Sequence, residues 1–138
     1  LKKKIFLGIV VGALLLLTYR VVFPTYGNTI TSQWKTMNKI YVVDRVNEKR
    51  VTIRDEDIIR SIMFDHADMR LMRWDSGIFL LDYKYRIQVY NDVYTSPYTF
   101  SFSLDENDMY ARGHYKILGE NTLFDYIESL DLEWEDDN

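Results

Sequence analysis

The sequence predicts an α+β protein: an N-terminal transmembrane helix followed by a small ββαβββα domain, its antiparallel sheet covered by helices on one face. Three observations lead there. Residues 5–23 are almost wholly apolar. Tyr98 to Leu104 alternates strictly between large apolar and small polar side chains. Two segments, one starting at Asp55 and one at Asn121, carry apolar residues at helical spacing behind capping residues. The 138-residue chain is 47% hydrophobic and 28% charged, ordinary globular usage that excludes a wholly disordered or collagen-like chain. It has no cysteine and two histidines, so a disulfide framework, a thiolate zinc site and a cysteine nucleophile are excluded and no cofactor is expected.

Charge is divided unevenly. Lys2, Lys3, Lys4 and Arg20 are the only charged residues among the first 23. The other 115 residues hold 13 basic and 21 acidic side chains, a net of −8. An acidic body does not suit nucleic acid, whose phosphates need cationic partners. Residues 1–4 read as a cytoplasmic basic stub. Ile5 to Phe23 would span roughly 28 Å as a helix, about the thickness of a hydrocarbon core, so membrane lipid is its expected partner. Arg20 can snorkel to the head groups, Tyr19, Phe23 and Tyr26 suit an interfacial aromatic belt, and Pro24 ends the helix. A cleaved secretory signal is the competing reading, but bulky residues occupy the places where a small-residue cleavage site would stand. Three lysines before the span against one arginine after it place the N-terminus in the cytoplasm and the domain outside. Gly8 and Gly12 form a G-x-x-x-G pattern, a helix-association signal that valine-rich spans also produce by chance.

Residues 24–37, rich in Thr, Ser, Gly and Asn, read as a polar stalk, with Trp34 able to pack on the domain that occupies 38–138. Lys39–Val46 and Arg50–Ile53 read as a hairpin around Asn47-Glu48-Lys49. Asp55 N-caps a helix whose apolar face is Ile58, Ile59, Ile62, Met63 and His66. Met69 to Gly77 reads as a connecting segment. Three strands follow: Phe79–Tyr90 with an irregularity near Asp82-Tyr83, Tyr98–Leu104, and Met109–Leu118. Asn121 caps a last helix to Leu130, striped by Leu123, Phe124, Ile127 and Leu130. Glu133-Trp134-Glu135-Asp136-Asp137 reads as a solvated acidic end.

The hairpin of 39–53, the Asp55-Glu56-Asp57-Ile58-Ile59 helix start and the meander from Tyr98-Thr99-Phe100 to His114-Tyr115-Lys116-Ile117 together resemble small membrane-anchored or secreted domains of unknown function from Gram-positive bacteria. The resemblance covers residues 38–130. It implies an envelope location and no known catalysis, and it assigns no functional residue.

Chemistry is sparse. Asp65, His66 and Asp68 could suggest a metal, but His66 continues an apolar stripe and no third ligand is specified, so a core histidine is expected. Asp105-Glu106-Asn107-Asp108 departs from the EF-hand pattern where Met109 and Tyr110 stand, and reads as an acidic turn. No G-x-S-x-G, P-loop, G-x-G-x-x-G or H-E-x-x-H occurs. One surface stands out. If Tyr85, Ile87, Met109, Tyr115 and Ile117 face the core, then Lys84, Arg86, Gln88, Tyr90, Tyr110, Arg112, His114 and Lys116 face water around small Thr99, Ser101 and Ser103. A basic shelf on an acidic body can steer an acidic partner; the alternative is the ordinary wet face of a sheet. The expectation is a non-enzymatic interaction module on the outer face of a bacterial cell membrane, binding an envelope protein or an anionic polymer. Two expectations compete with it: an accessory or assembly subunit acting through its transmembrane helix, and an envelope hydrolase without a recognisable motif.

Overall fold

Lys2–Val22 form one α-helix, α1, with no buried residue. The computed structural model describes residues 2–30, 37–74, 83–91 and 98–137, with the side chains of Tyr98 and Thr99 outside that description. α1 is apolar on every side, with a mean hydropathy of 2.3 over its membrane-length window, and is long enough to cross a bilayer. Pro24 cannot continue it, having no N–H to donate.

The chain then docks at once. Thr25 caps a single helical turn, α2 (Tyr26–Thr29), its hydroxyl accepting from Asn28 N at 3.3 Å. Three backbone bonds join this stretch to residues 67–71: Leu71 N to Pro24 O at 2.9 Å, Tyr26 N to Met69 O at 2.8 Å, and Gly27 N to Ala67 O at 3.0 Å. Tyr26 and Ile30 are fully buried. The Tyr26 ring meets Phe102 edge-on at 5.9 Å, and its hydroxyl donates to Ile62 O at 3.0 Å. The start of the expected polar stalk is therefore packed against the domain, and Tyr26 belongs to the core rather than to an interfacial belt. Two apolar side chains among polar neighbours suffice, because each finds a complete pocket. Residues 31–36, Trp34 among them, lie outside the described residues.

The sheet is open and antiparallel. Its strands are β1 (Lys39–Asp44), β2 (Lys49–Ile53), β3 (Arg70–Arg73), β4 (Tyr85–Tyr90), β5 (Tyr98–Leu104), β6 (Asp108–Tyr110), β7 (His114–Leu118) and β8 (Glu135–Asp136). Their spatial order is β3-β7-β6-β5-β4-β1-β2-β8. This corrects the expected ββαβββα order in three places. The supposed connection after Met69 contains β3, paired with β7 from Arg70↔Leu118 to Arg73↔Tyr115. The expected strand Met109–Leu118 is a hairpin, reversed at Arg112, whose φ of 55° is left-handed. The acidic end pairs Asp136 with Lys49 and Glu135 with Arg50, although both acids stay exposed. The expected strand start at 79–82 lies outside the described residues.

Both capped helices form where the sequence places them. Asp55 Oδ1 accepts from Asp57 N at 2.9 Å and Ile58 N at 3.1 Å, a cap worth about 1 kcal/mol. The helix it opens, α3 (Glu56–Arg60), runs on as a π turn, Ser61–Asp65. Asn121 caps α4 (Thr122–Ser129), accepting from Phe124 N at 3.1 Å. Its amide also donates to Asp105 O at 2.8 Å and Glu106 O at 2.9 Å, which fastens the acidic β5–β6 turn to the helix start. Ile59, Ile62, Met63, Leu123 and Ile127 from the helical segments share one core with Ile40, Val42, Ile87, Phe102, Leu104 and Met109 from the sheet.

The junction is sterically tight. A Cβ on Gly27 would lie 2.9 Å from Ala67 Cβ and 3.2 Å from Ala67 O. Gly27→Val is therefore expected to destabilise the domain by about 1–3 kcal/mol, as overpacking does. Urea unfolding of the detergent-solubilised protein checks this; an unchanged midpoint would show that the splice yields freely.

Candidate functional site

Backbone register assembles the exposed sheet face. One cross-strand row runs Arg50–Val43–Arg86–Ser103–Tyr110–His114, every neighbour a direct register partner. A second runs Thr52–Tyr41–Gln88–Ser101. The rows exist because β4 and β5 alternate: Tyr85, Ile87, Val89, Phe102 and Leu104 are buried, while Arg86 is exposed and Gln88, Ser101 and Ser103 are half-buried. Side chains with a period of two cannot do otherwise once one face is dry.

Of the residues read from sequence, Arg86, Gln88, Ser101, Tyr110 and His114 share this face directly. Tyr90 extends it, its ring 4.9 Å below the Lys39 ammonium. Lys116 lies one step beyond His114 on the same side of β7, its ammonium 5.3 Å from the Trp74 ring. Arg112 stands at the tip of the β6–β7 turn rather than on a strand. The side chain of Thr99 lies outside the described residues.

Lys84 is a correction. It precedes β4, and its ammonium pairs with Glu128 of α4 and sits over the rings of Tyr85 and Phe124, at 5.1 and 5.6 Å. Glu128 also accepts from the Tyr85 hydroxyl at 2.6 Å. Alternation placed Lys84 beside Arg86, but it is not in a strand, and a carboxylate with two aromatic rings draws it to the helix. The Lys84 and Tyr85 hydrogen bonds hold the Glu128 carboxyl below its ordinary value.

His114 has a close polar partner that sequence did not anticipate. Tyr83 Oη lies 2.7 Å from its Nε2. Tyr83 is buried, and burial, reinforced by Asp108 and Asp105, pushes its phenol well above the ordinary range, so it stays protonated. Tyr41 and Val43 are also part of the face and were missed, although Lys39-Ile40-Tyr41-Val42-Val43-Asp44 shows the same alternation. With Arg86 and Gln88 they line a cleft of about 490 Å³ whose rim carries Arg45, Glu48 and Asp137. Arg86 forms no ion pair among the described residues, so its guanidinium can meet a ligand carboxylate or phosphate.

The other candidates resolve structurally. His66 is buried, with Nδ1 2.9 Å from Thr122 Oγ1 and its ring 5.4 Å from Tyr126. Its Nε2 has no hydrogen-bond partner among the described residues, and desolvation lowers its pKa. Among the described residues no group of three His, Cys, Asp or Glu could hold a metal ion. Asp105-Glu106-Asn107-Asp108 is a turn closed by its own bonds, Asp105 N to Asp108 O at 2.8 Å among them. At Gly8 and Gly12 an added Cβ would meet nothing within 4 Å, so both glycines stand open on α1.

No protein-family model, curated protein or solved structure matches the chain.

Two acid responses follow, with different origins. Burial lowers the His66 pKa in the fold, so the unfolded chain binds the proton more readily and stability falls as pH drops below the ordinary histidine value of 6.5. Glu128, with a depressed value, contributes fully above the ordinary carboxylate range and loses that contribution as pH falls through its folded value. Thermal unfolding across pH should therefore show a first decline below 6.5 that His66→Gln removes. A second decline, in the carboxylate range, should shrink in Glu128→Gln; that pair is partly solvated, so its loss is at most ~1 kcal/mol. Unaltered pH profiles in the variants would refute the assignments.

Proposed function

We propose that the protein is a non-enzymatic interaction module fixed to the outer face of a bacterial cell membrane. In this reading α1 is an uncleaved single-pass anchor with its lysine end in the cytoplasm. Helices α3 and α4 cover one face of the sheet, and the opposite face, centred on Arg86 and Gln88, takes an envelope protein or an anionic polymer. The observation that carries the reading is the joining of a membrane-length apolar helix with no buried residue to a folded acidic body with an open sheet face. Lys2, Lys3 and Lys4 against Arg20 support the orientation. Arg86 at the middle of the face, with Arg112 at the hairpin tip, supports an acidic partner, because a local reversal of sign steers encounter. Anchoring also raises local concentration, so a weak contact counts.

The second reading, an accessory subunit acting through its helix, is favoured by the open positions of Gly8 and Gly12. Two manipulations separate them. Arg86→Glu combined with Arg112→Glu is expected to abolish co-purification of the partner from membranes while leaving thermal unfolding nearly unchanged. Replacement of residues 5–23 by an unrelated apolar helix is expected to preserve capture. Capture that survives the double substitution would reduce the face to an ordinary wet surface. Capture lost with the helix swap, at normal expression and location, would move the activity into α1.

A further inference from the structure

We propose that the β3 edge of the sheet is a lipid-docking surface, with Arg70 and Arg73 seated among the phosphates of anionic phospholipids. The inference rests on α1 spanning the membrane. Given that, distance does most of the work. Pro24 follows the last turn of α1, and its carbonyl accepts from Leu71 N at 2.9 Å. Thr25 and Arg70 form a direct antiparallel bridge. No free chain separates helix from sheet edge, so residues 69–71 lie at the level where α1 leaves the hydrocarbon. The head-group layer is about 5–8 Å deep on each side of the membrane, which places Arg70 inside it. Arg73 lies within ~10 Å of Arg70 along the strand.

The chemistry of the edge suits that layer. Arg70 and Arg73 are exposed, and neither forms an ion pair among the described residues. Arg20 stands in the last turn of α1, and Tyr19 and Phe23 pack as a ring pair at 5.2 Å beside it. Trp74, 43% exposed, lies at the end of β3 under Lys116. Tyr and Trp settle at the membrane interface, and arginine is the side chain best shaped for phosphate. Asp65, Asp68 and Glu120 line a cleft with Arg70, so the local balance is mixed rather than strongly basic. It nevertheless contrasts with a body of net −8, which an anionic leaflet would repel. Arg20, Arg70 and Arg73 at the helix exit give such a body a place where guanidinium groups can meet lipid phosphate.

The absence of native cysteine makes the test direct. A fluorophore is attached to the full chain at Leu118→Cys, the exposed register partner of Arg70. A second preparation carries it at Val46→Cys, in the β1–β2 turn. β1 lies five strand spacings from β3, about 24 Å across the sheet. Both are reconstituted in phosphatidylcholine vesicles with and without phosphatidylglycerol, doped with a head-group nitroxide quencher. Expected is several-fold stronger quenching at 118 than at 46, increased by phosphatidylglycerol. Arg70→Glu with Arg73→Glu should remove that increase, since each basic residue near an anionic leaflet changes occupancy about fivefold. Equal quenching at the two positions, or an increase that survives the double substitution, would overturn the lipid contact while α1 stays inserted. Release of the protein by alkaline extraction would overturn the spanning helix itself, and the lipid contact with it.

Discussion

The structure hangs on the splice between the end of α1 and the β3 edge. Three backbone hydrogen bonds and one buried tyrosine hold it. The cost of ordering Pro24 to Ile30 is offset by burial of the Tyr26 ring and the Ile30 side chain, each worth a few kcal/mol when taken fully from water. The close approach of Gly27 to Ala67 admits no side chain, so composition at that point is dictated by backbone geometry. Because Tyr26 also bonds Ile62 O and touches Phe102, the splice ties the apolar helix to both the π turn and the centre of the sheet.

From that tie the division of the sheet into two faces follows. Core pairs such as Val42↔Ile87↔Phe102 bury one side, which leaves Tyr41, Arg86, Gln88 and Ser103 on the other. Lys84 and Glu128 bind α4 to the entrance of β4 and remove one cation from the open face. What remains has lost that cation, and its basic residues are Arg50, Arg86 and Lys116, with Arg112 at the hairpin tip.

Elements governed by local rules were legible in the chain. Asp55 and Asn121 cap the helices that follow them, β5 alternates from Ser101 to Leu104, and His66 is buried with the apolar residues before it. The parts that escaped are set by distant partners. β3 has four residues and no pattern of its own; it becomes a strand because β7 and Pro24 offer hydrogen bonds on either side. Glu135 and Asp136 keep solvated side chains, as their charge suggests, and only their backbone pairing with Arg50 and Lys49 was hidden. The reversal at Arg112 hides inside an unbroken alternation, because the turn returns Tyr115 opposite Met109 with both facing inward. For the candidate face, single-strand parity found Arg86, Gln88 and His114 and was equally present at Tyr41, whereas Trp74 and Tyr83 needed the strand order.

The π turn at Ser61–Asp65 acts as a phase shifter. Its wider loop accommodates one residue more than α-helical winding would over the same advance. Downstream side chains are thereby rotated by about 100° relative to a continuous α-helix. That offset aims His66 at Thr122 while Ile59, Ile62 and Met63 stay on the dry side. The surplus residue thus sets the azimuth at which one helical segment meets the start of the other, and its excision would dial the imidazole out of that meeting while leaving the hydrophobic stripe before it in place.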